Sequence, residues 1–381
     1  MGSFSLSVQI RDFVRKDALQ MLGNALEGCG GSGPSTAYSE AYRMIMRVGV
    51  SDKSFIVRMA AARCLKAFAS IGGPGLGITE LENSILYCLK ALEDPVSSVR
   101  DAFAEALGGL LALAMNPEAQ VKQQGNKGPA AVRKLEDGLQ KHFILPFVRA
   151  SGVRAKDLRV GLTLSWVSFL QVLHHKYNIP DSELQNFALV VMDILKGNDF
   201  ADPHVLACVL YVLRVGIADQ LTESSQRSFL GFLGRKLETA DCSPSMRVAT
   251  LRILSYLLNN LGEVPIEFKN ILDNTVVGAL CDSSSHVRIE AALTLRALAK
   301  VDPSCVGGLI SYGVTTLHAL RESGSLEKYQ KLGSRFPPDR ILISNNTVHI
   351  GRYVLVCQQT DMRTAHYRTV DWGSASAPLP P

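Results

Sequence analysis

The sequence predicts an all-α chain, a right-handed α-solenoid of HEAT/armadillo-like helical repeats. Three observations carry that expectation. A short polar turn recurs with the same internal spacing, the copies are a constant step apart, and each is followed by apolar residues at helical period. The strict copies pair Asp52 with Arg58, Asp94 with Arg100, Asp241 with Arg247 and Asp282 with Arg288. In each, Asp stands six residues before Arg, and Val or Met immediately precedes that Arg. Small or apolar residues follow at Arg+4 and Arg+7: Ala62 and Leu65, Ala104 and Leu107, Leu251 and Leu254, Ala292 and Leu295. Phe68, Leu110, Leu257 and Leu298 continue the same face of a helix.

The elements follow in order. A first helix is predicted before each turn, over 37–47, 80–92, 226–237 and 268–280. The turn supplies the Asp, and Val-Arg or Met-Arg opens the second helix. Arg58 to Arg100 is 42 residues and Arg247 to Arg288 is 41. Degenerate copies fill the gaps at a similar step, at Val14-Arg15, at Arg159 with Trp166 and Phe169, and at Asp202 with Leu206 and Leu210. One step is long, 59 residues from Arg100 to Arg159. It contains a Gln/Gly/Lys/Pro-rich stretch at about 116–134, which is predicted to be a loop inserted between repeats. The domain expectation is therefore one array over 1–334, about seven helix pairs, followed by a flexible non-repeat tail over 335–381. No single pair buries its own apolar face, so stacked neighbours share one core. An array that stops without a polar capping repeat points to part of a longer protein.

The Asp and Arg residues are expected to form a structural ladder, each turn carboxylate accepting from an Arg in the same or the adjacent repeat. A catalytic role for them has no support. Gly28-Cys29-Gly30-Gly31-Ser32-Gly33 matches G-x-G-x-x-G formally, but a helical run precedes it where a dinucleotide site requires a strand. His174 and His175 are adjacent and point different ways on a helix, so they suit a helix end better than one metal ion. No Walker-type loop, H-E-x-x-H or G-x-S-x-G is present. The expectation is no enzyme, no cofactor, no metal and no catalytic residues.

Composition agrees with a folded protein: 381 residues, 47% hydrophobic and 20% charged. A formal net charge of +5 is too small at this length to indicate nucleic acid. The eight Cys have no C-x-x-C spacing and fit reduced thiols of a cytoplasmic protein. The first residues lack the features of a secretory signal, and no apolar run approaches the roughly 20 residues needed to span a bilayer. At most, peripheral membrane association is expected. One basic group stands out, Arg149, Arg154, Lys156 and Arg159, where the inserted loop rejoins the array. It is either a solvated helix end or a contact for an acidic peptide or an anionic lipid.

Beyond the generic pattern, four longer runs are specific. They are Asn24-Ala-Leu-Glu-Gly-Cys-Gly-Gly31, Ala60-Ala-Ala-Arg-Cys-Leu-Lys-Ala-Phe68 with Ile71-Gly-Gly-Pro-Gly-Leu-Gly77, Ser98-Val-Arg-Asp-Ala-Phe-Ala-Glu-Ala-Leu107, and Glu290-Ala-Ala-Leu-Thr-Leu-Arg-Ala-Leu298. On these runs the chain resembles the HEAT-repeat-containing protein 5 family, including its plant members. The resemblance implies a segment near the start of a much larger HEAT array. It also implies a non-enzymatic role in membrane trafficking at the trans-Golgi network and endosomes, beside clathrin-adaptor-associated proteins. The alternative is an enzyme or regulatory subunit linked to carbohydrate metabolism, and a third possibility is a nuclear-transport solenoid. Sparse Trp and the slight positive charge argue against the last.

Overall fold

Small side chains at Ala60, Ala61, Ala62, Gly108 and Gly109 let neighbouring helices approach closely. A computed structural model describes residues 2–115, 138–196, 202–239, 242–266, 268–269 and 275–322. The expected loop over 116–134, the tail over 335–381 and Asp241 lie outside the described residues. Among the described residues there are helices and no strands. The helices are α1 (Gly2–Cys29), α2 (Ser35–Met44, continued by the π-helical Ile45–Gly49), α3 (Phe55–Ser70), α4 (Ile78–Ala91) and α5 (Ser97–Met115). After the insert come α6 (Leu145–Arg149), α7 (Ala155–Tyr177), α8 (Asp181–Met192) and α9 (Pro203–Tyr211). The last are α10 (Glu223–Leu237), α11 (Pro244–Leu261), α12 (Ser285–Val301) and α13 (Val306–Glu322).

The first helices expected over 37–47, 80–92 and 226–237 correspond to α2 with its π-helical turn, α4 and α10. The one expected over 268–280 is described only in part, and there the chain forms a 3₁₀ turn at Gly278–Cys281. The second helices α3, α5, α11 and α12 share one register: Arg58, Arg100, Arg247 and Arg288 are each the fourth helical residue. Each Arg amide donates to the carbonyl four residues back, at Ser54, Val96, Ser243 and Ser284. Helix ends follow local chemistry. Ser243 caps α11 by accepting from the Met246 amide, with Pro244 at the first position, and Gly262 ends the helix in the left-handed region (φ 67°). Asn178 does the same for α7 at φ 49°.

Cα packing divides the chain into two compact units, Met1–Leu184 with Val215–Gln220, and Gln185–Arg214 with Leu221–Pro381. In the first, α1 packs on α3, α3 on α5 and α5 on α7, with α4 against α5. Being flanked by two helices explains the composition of α5, whose residues from Ala106 to Met115 are all buried. Gly108 and Gly109 make the double contact possible. A methyl on Gly108 would sit 2.6 Å from the Ser165 carbonyl oxygen, and one on Gly109 would sit 3.2 Å from the Ala69 Cβ. The aromatic part of this core is Phe143 stacked on Trp166 at 5.1 Å and tilted against Phe169 at 5.4 Å. In the second unit α11 is the central helix, packing on α9, α10 and α12.

Two polar contacts tie neighbours inside the cores. The Cys64 thiol donates to the Leu19 carbonyl at 3.0 Å, joining α3 to α1. The Thr294 hydroxyl donates to the Leu251 carbonyl at 3.0 Å, joining α12 to α11. Burial pushes the Cys64 thiol up to about 12 and raises the Cys88 thiol as well. Alkylation with iodoacetamide near neutral pH should therefore modify the exposed Cys29 and Cys281 well before Cys64 or Cys88, as peptide mass mapping will show.

Replacing Gly108 with Ala should lower stability by about 1–3 kcal/mol through overpacking against α7. Gly28 lies in α1 with nothing near its added methyl. Gly28→Ala should therefore leave thermal unfolding unchanged or raise it by up to about 1 kcal/mol. Equal melting temperatures for the two variants would refute the close α5–α7 approach.

Candidate functional site

The repeated turn is built from the inside outward. The Asp52 Oδ1 accepts from the Ser54 amide at 2.8 Å, Asp94 from Val96 at 2.9 Å and Asp282 from Ser284 at 2.8 Å. Each carboxylate thus closes its own turn before the second helix starts. The Arg six residues later closes the same turn through backbone oxygen. Arg58 Nη1 donates to the Asp52 carbonyl at 2.8 Å and the Lys53 carbonyl at 3.0 Å. Arg100 does so to Asp94 (2.8 Å) and Pro95 (3.4 Å), and Arg288 to Asp282 (2.7 Å) and Ser283 (3.0 Å). The six-residue spacing is the reach a guanidinium needs to cap its own turn.

The carboxylate itself is held from the preceding repeat. Arg15 forks onto Asp52 with bonds of 2.8 and 3.0 Å, and Arg58 forks onto Asp94 at 2.9 and 3.1 Å. Arg247 Nη1 binds Asp282 Oδ2. Of the two pairings that spacing leaves open, the structure shows the adjacent-repeat one. Parallel donors on a planar fork suit a carboxylate's two oxygens. Burial by itself raises the Asp52 carboxyl, but the Arg15 and Ser54 donors outweigh it and hold the group below its ordinary 3.8.

Arg15, expected as a degenerate copy, supplies a rung although it lacks the Asp of a strict copy, and one further member was not expected. Asp157 sits in the first turn of α7 and accepts one bond from Arg100 Nη2 at 3.2 Å. With Asp157 about half exposed (47%) against 12% for Asp94, this rung is the more solvated.

The four basic residues where the insert rejoins do not form one free cluster. Arg159 points inward, donating to the Phe147 carbonyl at 3.3 Å and the Ala150 carbonyl at 3.1 Å, with its guanidinium over the Phe147 ring. Arg154 Nη1 donates to the Glu93 carbonyl. Arg149 and Lys156 are exposed. At the far end of α7, His174 Nε2 pairs with Asp181 Oδ1 at 3.1 Å. Lys176 Nζ reaches the Ala69 and Ser70 carbonyls at 2.9 and 2.8 Å, capping the end of α3 from α7. Burial lowers the Lys176 amine from its usual range. No sequence signal pointed to this cross-helix cap.

An open depression of about 530 Å³ lies between α2 and α4, lined by Glu40, Tyr42, Arg43, Met44, Met46, Arg47 and Asn83. Tyr42 is buried and held by the Glu80 carbonyl and the Ser84 hydroxyl, each at 2.9 Å. Exposed Arg43, Met44 and Arg47 sit on the same side of α2. Arg43 pairs with Glu40 at 3.3 Å in an exposed contact and Arg47 donates to the Met44 sulfur at 3.6 Å, and guanidinium groups beside thioether surface suit an apolar, acidic protein segment. No group of three or more His, Cys, Asp or Glu side chains among the described residues is placed to hold a metal ion. No helix among them is long and apolar enough to cross a membrane.

No family model matches the chain. Protein SWEETIE of Arabidopsis thaliana is 61% identical over 322 residues, 84% of this chain and 14% of that protein. Protein ILITYHIA of the same plant is 27% identical over 241 residues, 58% of this chain and 9% of that protein. The chain therefore spans a small fraction of the length of the curated relatives it matches. The crystal structure of an engineered protein aligns with 92% of this chain and 96% of its own at 14% identity, but with a TM-score of 0.25, too low to carry an argument.

Replacing Arg58 with Ala should cost on the order of 3 kcal/mol, since it strips both the turn cap and a largely buried carboxylate pair. Arg100→Ala should cost less, about 1–3 kcal/mol, because its carboxylate partner is half solvated. Chemical denaturation ranks the two. Because the folded Asp52 carboxyl is depressed, its contribution is present above its unfolded value and lost as pH falls through the lower folded value. Asp52→Asn should therefore flatten the decline in stability below pH 3.8 relative to the wild type, measured by melting temperature against pH.

Proposed function

Because the chain belongs to the SWEETIE family, we propose that it serves as a non-enzymatic HEAT-repeat scaffold that binds other proteins in intracellular membrane trafficking. Its place of action is the cytoplasmic side of the trans-Golgi network and endosomes, and its partners are clathrin-adaptor-associated proteins. The carrying observation is the repeated Arg–Asp rung. It fixes one second helix to the next, while on the first helix α2 and its π-helical turn Arg43, Met44 and Arg47 are exposed. The depression between α2 and α4 offers a contact face, with Arg43 and Arg47 beside Met44 and Met46. Flexible thioethers adapt to apolar side chains, while the two guanidinium groups select for carboxylates. Across a surface so open to water, binding is a better use of these residues than bond-making chemistry.

Affinity purification from plant extract with the 381-residue chain tests this. Coat- or adaptor-associated proteins should be recovered, and Arg43→Glu with Arg47→Glu should reduce that recovery while circular dichroism stays unchanged. A folded chain that retains none of these proteins would overturn the trafficking role.

A further inference from the structure

The segment between α6 and α7 stands out from the rest of the described surface. Gly152 adopts φ +81°, and the Ala155 amide closes onto its carbonyl at 3.2 Å. This tight turn projects Val153 clear of the protein, fully exposed at 103%. Val148 on α6 and Val160 on α7 are exposed at 57% and 43%. Arg149, Arg154 and Lys156 surround the turn, and all three are exposed. Arg149 and Lys156 form no ion pair with any described residue, while Arg154 spends one donor on the Glu93 carbonyl. Of the acids described nearby, Asp157 is engaged by Arg100 and Glu93 is exposed. The turn is held rigidly from beneath, since Arg159 ties the Phe147 and Ala150 carbonyls to α7.

We propose that this turn is a membrane-contact site, with Val153 entering the interfacial region of an anionic bilayer and Arg149, Arg154 and Lys156 lying against lipid headgroups. A projecting apolar tip ringed by cations matches a surface that is apolar below and anionic above. Convexity decides against a peptide partner, because a peptide needs a groove and this segment protrudes. The inference stands on this geometry alone and is independent of which proteins the depression between α2 and α4 holds.

Vesicle co-sedimentation with the 381-residue chain tests the site. One set of vesicles contains phosphatidylcholine alone, and the other contains phosphatidylcholine and phosphatidylserine in equal parts. The chain should pellet with the acidic vesicles, bind the neutral ones weakly, and detach as salt rises. Arg149→Glu with Lys156→Glu should lower the partition coefficient roughly tenfold or more. Val153→Asp should also lower it, although all three cations remain. Both variants change exposed side chains, so their helical circular dichroism should match the wild type. Three results would overturn the proposal: no preference for acidic vesicles, variants that bind like the wild type, or soluble polyglutamate held as tightly as the vesicles. The last would assign the cations to an acidic polypeptide.

Discussion

One guanidinium group does two things in the repeats of Arg58 and Arg100, and the first unit depends on it. Arg58 closes the turn that precedes its own helix, through the Asp52 and Lys53 carbonyls. The same side chain reaches forward to the Asp94 carboxylate of the next turn. Asp94 in turn closes its own turn through the Val96 amide. Local folding of one turn and its placement against the previous helix therefore share a single set of charge-assisted bonds. Losing Arg58 strips the carbonyl cap from its own turn and the grip on the Asp94 carboxylate of the next, and a lysine ammonium does not reproduce the planar fork that makes both.

Close helix approach is the second constraint, and it acts where the ladder does not reach. The rungs lie at the starts of the second helices, while Gly108, Gly109 and the Ala-rich faces of α3 and α5 operate further along. At the far end Lys176 joins α7 to the last carbonyls of α3. Pairing at the start, small-residue contact in the middle and a cationic cap at the end together define the helix spacing in the first unit. Between the charged groups at the two ends, the central contacts are mostly apolar, with the Cys64 thiol on the Leu19 carbonyl and the exposed Lys66–Glu105 pair among them.

Much of this was legible because the repeat leaves a periodic mark. Asp and Arg six apart, with Val or Met before the Arg, located the turns and the second helices, and the common register at the fourth helical residue follows from that spacing. The direction of pairing was not legible, since six residues suit either a bond within the repeat or one across to the next. Asp157 was hidden by the insert, which stretches the Arg100 rung to 57 residues where Arg58 to Asp94 takes 36. The four basic residues at 149–159 appeared equivalent in sequence, yet their position on the turn divides them: Arg159 faces backbone carbonyls and Arg149 and Lys156 face water. Lys176 and Gly108 carry no local signature at all, because their roles are set by the helix opposite.

Arg58 pairs its charge with the following repeat and touches its own turn only through backbone oxygen. A double-mutant cycle on thermal or denaturant stability measures this directly. Arg58→Ala combined with Asp94→Ala should show a coupling of about 1–3 kcal/mol, while Arg58→Ala combined with Asp52→Ala should show less than half of that. A larger coupling between Arg58 and Asp52 would contradict the ladder and place the ion pair inside the repeat.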